Sequence, residues 1–593
     1  MSLRTVDTED RKGSGDEPPR SHWAKTAKRY LPFVAIVVVV AIAVAVFGGG
    51  DDGDDGGDAG GTDAAVDTDE LISSGPMTWM RAEQEGRTDE IDWGPNCDTE
   101  RGTIKLPIIG APPCVEPFRG DNGGATSPGV TEDEIRVVYY QTDPSLDPTG
   151  SALVSATGAD VNPATSWQAA QDYAALYNEL FETYGRRVVL ERYVGTGPGD
   201  DPEAARADAV AIAEREPFAV LGGPQLSSAV FASEIASRGI ICALDCSGNM
   251  PEDQVEELYP YVWQAGQTPD QAVALAAEAF GNLAGPGPAE LAGDPELREQ
   301  DRVYALVHYD TPDGDHEPVF QEFRRQLADH GIELETDVRF ELDAAQIQED
   351  ARTIISRLKD AGVTTVIFYG DPLMPAALTE EATAQDYRPE WLLGPNVLMD
   401  TAVFARQTDG EQWRNGFGLS FIGTRGETST QTGWHVYEWA YGSEPPNNTV
   451  GLVDNRIRSF FTGVHLAGPE LTPETFRDGL FRNPPAGGGP TTPMATVGDH
   501  GIWPELDLGG IDDIALLWWD PDATGEDEAG NAGRGMYRYA NGGERYTIGN
   551  LPESFEEAGL FDEESSVTVY EELPEEDQPP EYPPPDLPPR QGG

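Results

Sequence analysis

The chain has 593 residues, enough for two lobes plus extensions. Its formal net charge is −66, from 105 acidic and 39 basic side chains, which excludes a nucleic-acid binder because such a surface repels phosphate. Solubility or a salt-rich habitat accounts for that acidity; a role in attracting cations is the alternative.

Residues 1–30 are polar and read as a cytoplasmic disordered segment. Residues 31–47 are uncharged and mostly valine, isoleucine and alanine, and with Gly48, Gly49 and Gly50 they reach bilayer-crossing length. Arg20, Lys25, Lys28 and Arg29 precede the run, and Asp51, Asp52, Asp54, Asp55 and Asp58 follow it. The positive-inside rule then predicts a single-pass transmembrane helix over 31–50 in the lipid bilayer, with the N-terminus cytoplasmic and the rest outside. A cleaved signal peptide is the rival; the basic region and apolar core are both long for one. No cysteine follows the run closely, which argues against a lipoprotein anchor.

Residues 51–75 read as an acidic, glycine-rich linker with a reach of roughly 25–30 Å. Residues 76–129 form a cysteine-bearing pre-domain with Trp79 and Trp93. Cys97, Cys114, Cys242 and Cys246 all fall on the predicted outer side, where an even count suggests two disulfides. Sequential pairing is the simplest of three possibilities, and Cys97–Cys114 would contribute roughly 3 kcal/mol by loop entropy. A zinc site would need more closely grouped ligands.

The main body begins near Val130. Strands are predicted at 135–140 and 187–194, and helices at 166–184 and 202–214. Phe218 and Leu221 bound an apolar run that meets Gly222-Gly223-Pro224; Ser227 and Ser228 then open a helix with Val230, Phe231 and Ile235 on one face. Arg238-Gly239 ends it, and 240–244 is a second apolar run. Ligands of parallel sheets bind at strand carboxyl ends against helix N-termini, the position of Ser227 and Ser228. The stretch 261–264 reads as a passage into a second lobe. There, strands are predicted at 303–309, 332–340, 363–369 and 391–393, and helices at 319–330, 345–358 and 376–385. Further helices are read at 432–441, 455–467 and 473–481, a strand at 514–519, and a hairpin over 535–548 turning at Asn541-Gly542-Gly543. Residues 563–593 read as an acidic, proline-rich disordered tail. The fold class is α/β, with two doubly wound parallel-sheet lobes.

Several segments carry a family resemblance. They are Gly129-Val130-Thr131-Glu132-Asp133-Glu134-Ile135, Val220-Leu221-Gly222-Gly223-Pro224-Gln225-Leu226-Ser227-Ser228, Tyr261-Val262-Trp263-Gln264 with Thr268-Pro269-Asp270-Gln271, and Val363-Thr364-Thr365-Val366-Ile367-Phe368-Tyr369-Gly370. In order and spacing, residues from about 130 to 550 resemble type 1 periplasmic solute-binding proteins, the group of the branched-chain amino acid receptors of ABC transporters. The stretch 96–131 resembles a leader of actinobacterial members. The resemblance implies a two-lobe binding domain over 130–562, hinged by three crossing strands near 262–268, 395–402 and 490–510. Lobe 1 would hold 130–262 and 400–495, and lobe 2 would hold 266–395 and 505–562. It also implies a small polar solute between the lobes, an ABC-transporter permease as partner, and no cofactor.

In amino-acid-binding relatives the first-lobe serine loop and the next loop hold the ligand carboxylate. Ser227 and Ser228 match the first loop and Ser247 the second; Gln141, just past the first strand, is a candidate by position. The alternative for Ser228 is a plain helix cap. The second lobe departs from the amino-acid pattern. Asp313 stands where an aromatic residue is common, Asp371 follows the strand ending at Tyr369, and Asn396 replaces a carboxylate. The expected ligand is therefore amino-acid-like, an amide or a polyol. His308, Asp310, Asp313, Asp315 and His316 fail the calcium-loop spacing, and the chain has no nucleophile elbow, zinc-protease motif or Walker loop. The expectation is a non-enzymatic solute receptor for transport; the alternative is a sensory or structural ectodomain on the same fold.

Overall fold

The computed structural model describes residues 68–160, 162–224, 227–244, 246–248, 250–309, 316–341, 346–396 and 398–587. The anchor predicted over 31–50 and the candidate Asp313 lie outside them. Among the described residues no helix is long and apolar enough to cross a membrane.

The pre-domain contains a short antiparallel pair, β1 (Cys97–Asp98) and β2 (Thr103–Ile104). The Cys97–Cys114 disulfide sits in its small core, beside Trp93 and Ala82. That core is too small to stand alone, and the pre-domain leans on the main body. Asn96 donates to the Glu179 carbonyl at 2.7 Å. The buried His465 ring accepts from Glu182 N–H at 2.8 Å and reaches the Pro113 carbonyl at 3.0 Å. Burial pushes that imidazole down to about 4, so it is neutral.

The first lobe is a parallel sheet in the order β4 (Arg187–Val194), β3 (Glu134–Gln141), β5 (Ala219–Leu221), β6 (Ile241–Ala243). Asn162 caps the helix Pro163–Leu180 and Asp201 caps Pro202–Ala213; each has proline in its first turn. Three later helices, Thr432–Tyr441, Val450–Ala467 and Pro473–Arg482, return to this lobe. Their Phe460 and Phe476 meet Phe218, which immediately precedes β5.

The second lobe is a mixed sheet in the order β13 (Ala532–Tyr539), β12 (Asp513–Glu526), β11 (Phe417–Ser420), β10 (Glu390–Leu393), β9 (Thr365–Tyr369), β7 (Tyr304–Tyr309), β8 (Leu334–Phe340). Strands β7 to β11 are parallel and β12 reverses. Side chains alternate in β7: Ala305 and Val307 enter one core, and Tyr304 and Leu306 the other, where Phe280 and Phe323 lie.

Three segments join the lobes. The first runs over 264–268, ending at Thr268, whose capping box with Gln271 starts the helix Pro269–Ala284. The second runs over 421–431 and the third over 484–512. They lie against each other: Gly510 N–H donates to the Gly266 carbonyl and Thr424 N–H to the Pro490 carbonyl, both at 2.8 Å. Contact is so close that a Cβ on Gly510 would stand 2.6 Å from the Ala265 oxygen.

Four expectations are corrected. β11 lies in the second sheet, so residues 400–420 belong to lobe 2, and the second crossing is not at 395–402. The stretch 535–548 is not a hairpin. β13 and β14 (Arg545–Thr547) both pair antiparallel with the same edge of β12, Leu517 with Tyr539 and Ala515 with Arg545, with four extra residues looped out between them. They form one edge strand broken by a turn in which Asn541 and Gly542 have positive φ. The hairpin partner is β12 itself, turning at Asp527–Asn531, where Gly530 N–H donates to the Asp527 carbonyl. The fourth correction concerns the tail, whose described residues, 563–587, are seated on other elements. Val567 pairs with Tyr539, and Asp577 is buried. Its prolines preclude a long α-helix and an interior strand, yet they allow a single helical turn at Glu575–Asp577 and an extended path laid along other elements.

Candidate functional site

The turn Gly222-Gly223-Pro224 leaves β5 with Gly222 at φ +76°. A Cβ on Gly223 would stand 2.7 Å from the Cys246 carbonyl oxygen, so this turn packs on the loop after β6, which the Cys242–Cys246 disulfide closes. The serine loop and the Ser247 loop are therefore neighbours. Ser227 N–H donates to the Gly199 carbonyl at 2.8 Å, adding the Gly195-Thr196-Gly197-Pro198-Gly199 turn to the same rim.

Ser227 takes the N-cap position of the helix Ser228–Ser237, yet its hydroxyl makes no capping bond. Ser227 and Ser228 are 8% and 7% exposed, and Ser247 is 0% exposed. The Ser247 Oγ is buried with no hydrogen-bond partner among the described residues. A buried hydroxyl without a partner costs about 1–3 kcal/mol, and helix N–H groups beside it favour an acceptor or anion. Gln141 differs. Its amide donates to the Pro163 carbonyl at 3.0 Å and accepts from Arg192 at 2.6 Å, so it braces β3 and β4 against the helix Pro163–Leu180.

At the carboxyl end of β9, one oxygen of Asp371 accepts from the N–H groups of Leu373 and Met374, at 2.8 and 3.0 Å. It starts the helix Met374–Ala384. The other oxygen is buried and unpartnered among the described residues. Burial pushes this carboxyl up to about 6. Asn396 donates to the Gly370 carbonyl at 3.1 Å, lacing the loops after β9 and β10 together.

Sequence reasoning missed five groups here. Glu252, just after the Ser247 loop, donates its backbone N–H to the Asp270 carboxylate at 2.9 Å. Asp270 begins the first helix of lobe 2, so this contact crosses the lobe boundary. Burial, with Asp270 second, pushes Glu252 up to about 8; burial likewise raises Asp270. Tyr369, at the end of β9, is raised by burial and by the charge of Asp270. Asp270 thus bears both on Glu252, by a hydrogen bond, and on Tyr369, by its charge. On the serine side, Arg456 Nη1 lies 3.5 Å from where a Cβ on Gly222 would be. In the loop after β10, Asp400 accepts from Ser420 at 2.5 Å and is pushed up to about 6 by burial. Glu252 sits in an acidic run that reads as solvated surface. Arg456 comes from a helix more than 200 residues past the serine loop. Neither carries a local signal.

His308 is packed rather than poised: it is buried, 3.1 Å from Asp337 and against Phe320. Among the described residues no group of three or more His, Cys, Asp or Glu could hold a metal ion.

No family model and no curated protein matches the chain. Solved structures are similar to it. An ABC transporter substrate-binding protein from Desulfitobacterium hafniense, in complex with Leu, is 14% identical with a TM-score of 0.42, over 70% of this chain and 100% of that one. A leucine-, isoleucine-, valine-, threonine- and alanine-binding protein from Brucella ovis, in a closed conformation, is 11% identical with a TM-score of 0.48, over 74% and 100%. A fatty acid ABC transporter substrate-binding protein from Thermomonospora curvata is 15% identical with a TM-score of 0.44, over 73% and 96%.

Proposed function

We propose that this chain is an extracytoplasmic solute-binding protein, tethered through residues 31–50 and delivering a small polar ligand to an ABC-transporter permease. One observation carries the reading. Among the described residues, polar atoms are buried without partners at the carboxyl end of each sheet, Ser247 Oγ in one lobe and an Asp371 oxygen in the other. Groups kept in that state cost stability unless a ligand supplies the missing bonds. The two lobes meet through narrow crossing segments, the arrangement a hinge requires.

The residues also set the ligand's polarity. Ser227, Ser228, Ser247 and Arg456 suit an acceptor or anionic end. Glu252, Asp270 and Asp371 suit a donor or cationic end. An amino-acid-like solute or a polar amide fits both ends. The test is a thermal-shift screen of residues 68–593 against amino acids, amides, ureas, polyols and amines. A true ligand at 100 times its Kd adds about 2.7 kcal/mol; no stabilisation by any of these classes would sink the proposal.

A further inference from the structure

We infer that the C-terminal tail is a strap that limits how far the two lobes open. Its path touches every part that would move. On lobe 2, Val567 exchanges both backbone hydrogen bonds with Tyr539, at 2.7 and 3.0 Å, and Tyr570 OH donates to the Gly542 carbonyl at 2.6 Å. On the second crossing, Tyr570 N–H donates to the Arg425 carbonyl at 2.8 Å. On the third, one Asp577 oxygen accepts from Thr491 N–H at 2.6 Å and from its hydroxyl at 2.7 Å. Gly489 leaves room for that carboxylate: a Cβ there would stand 2.1 Å from Asp577 Oδ1. On lobe 1, Trp439 Nε1 donates to the Tyr582 carbonyl at 2.8 Å, and Leu587 packs against the core. The Tyr582 hydroxyl then donates to Asp98 of the pre-domain at 2.8 Å.

The chemistry of the segment suits a strap. Pro579, Pro580, Pro583, Pro584 and Pro585 fix φ along the last stretch, so it is stiff and already extended. Such a segment has little slack to give when its ends separate. Glu571, Glu572, Glu575, Glu576 and Glu581 add like charge to an already acidic body. Charge attraction therefore does not hold the strap; the hydrogen bonds and the buried Asp577 do. The inference takes from the proposed function only that the lobes move relative to each other.

Single-molecule energy transfer tests it in the full chain, between dyes at the exposed positions Glu203 in lobe 1 and Glu335 in lobe 2. Two proteins release the strap: a deletion of residues 565–593, and Tyr570→Ala combined with Asp577→Ala. Both should show longer and broader interlobe distances than the wild type. If the deletion does not fold, the double variant decides, with its release seen as faster hydrogen exchange at the Val567 N–H, which donates to the Tyr539 carbonyl when the strap is seated. A released strap with an unchanged distance distribution overturns the inference. So does a wild type that already samples the full range with the strap seated. Thermal-shift binding on the same proteins keeps the two readings apart: a ligand that stabilises all of them while distances stay fixed rejects the strap and leaves solute binding standing.

Discussion

Glu252 and Asp270 belong to different lobes, and the backbone N–H of the first donates to the carboxylate of the second over 2.9 Å. That bond places two acids side by side where the chain passes between lobes. Burial and the Asp270 charge raise Glu252 from 4.5 to about 8. A carboxyl raised on folding favours the folded state fully below its unfolded value, and this is lost as pH rises through the folded value. Stability from this site should therefore fall between about pH 4.5 and pH 8. Glu252→Gln should flatten that slope and raise stability at pH 8.5 by on the order of 2 kcal/mol. Chemical denaturation at pH 5 and pH 8.5 checks it, and an unchanged slope rejects the assignment.

Ser247→Ala separates a ligand contact from a structural residue. Its hydroxyl satisfies nothing inside the described protein, so ligand-free stability should hold or rise by up to about 1 kcal/mol. Affinity for a stabilising solute should fall about tenfold, equal to ~1.4 kcal/mol. Ser227→Ala should likewise cost less than the ~1 kcal/mol of an ordinary lost cap, because no cap bond exists. Calorimetric titration and urea melts read both. A large loss of ligand-free stability would mark the serines as structural.

Much of this architecture was legible in the sequence. The strand at 187–194 and the helix at 432–441 fall at their predicted limits, because each has a clear period bounded by turn residues. The four-residue β11 is invisible to the sequence: Phe417 and Leu419 alternate with Gly418 and Ser420 and share one core, but two apolar residues are too short a pattern to mark a strand without its neighbours. Missing it put the second crossing too early. The helix Pro269–Ala284 carries a full capping box at Thr268 and Gln271, a signal that was present but read only as part of a crossover. The tail was misjudged for another reason. Composition shows that a segment cannot build its own core, but not that it can be seated on another. For the site, the serines sat beside a readable strand-turn-helix. Arg456, Glu252 and Asp270 are brought there by long-range topology, which no local window contains.

The Cys97–Cys114 bridge should matter for the pre-domain more than for the lobes. It closes a separation of 17 residues, for which loop entropy gives roughly 3 kcal/mol. Replacing both cysteines with alanine should release residues 76–129 to protease and expose the Pro113 carbonyl that His465 reaches. The lobes should keep their unfolding midpoint within a few degrees. Limited proteolysis with differential calorimetry checks this, and a fully cooperative collapse would show that the pre-domain is integral to lobe 1.

Gly510→Ala probes the hinge at its tightest point. The Gly510 N–H donates to the Gly266 carbonyl at 2.8 Å. An added Cβ would stand 2.6 Å from the Ala265 oxygen and 2.9 Å from the Gln264 oxygen. Both are backbone atoms, so no side chain can swing aside, and the two crossing segments must separate. The site lies between the cores rather than inside either one, so the strain should appear as altered interlobe geometry with a modest loss of about 1–2 kcal/mol. Gly501→Ala, in the same crossing, is the control, since nothing lies within 4 Å of its Cβ position; its φ of +71° costs backbone strain without pressing on another segment. Small-angle scattering should show a changed radius of gyration for Gly510→Ala and none for Gly501→Ala. Equal profiles would mean that the third crossing yields without moving the lobes, and that the hinge axis lies elsewhere.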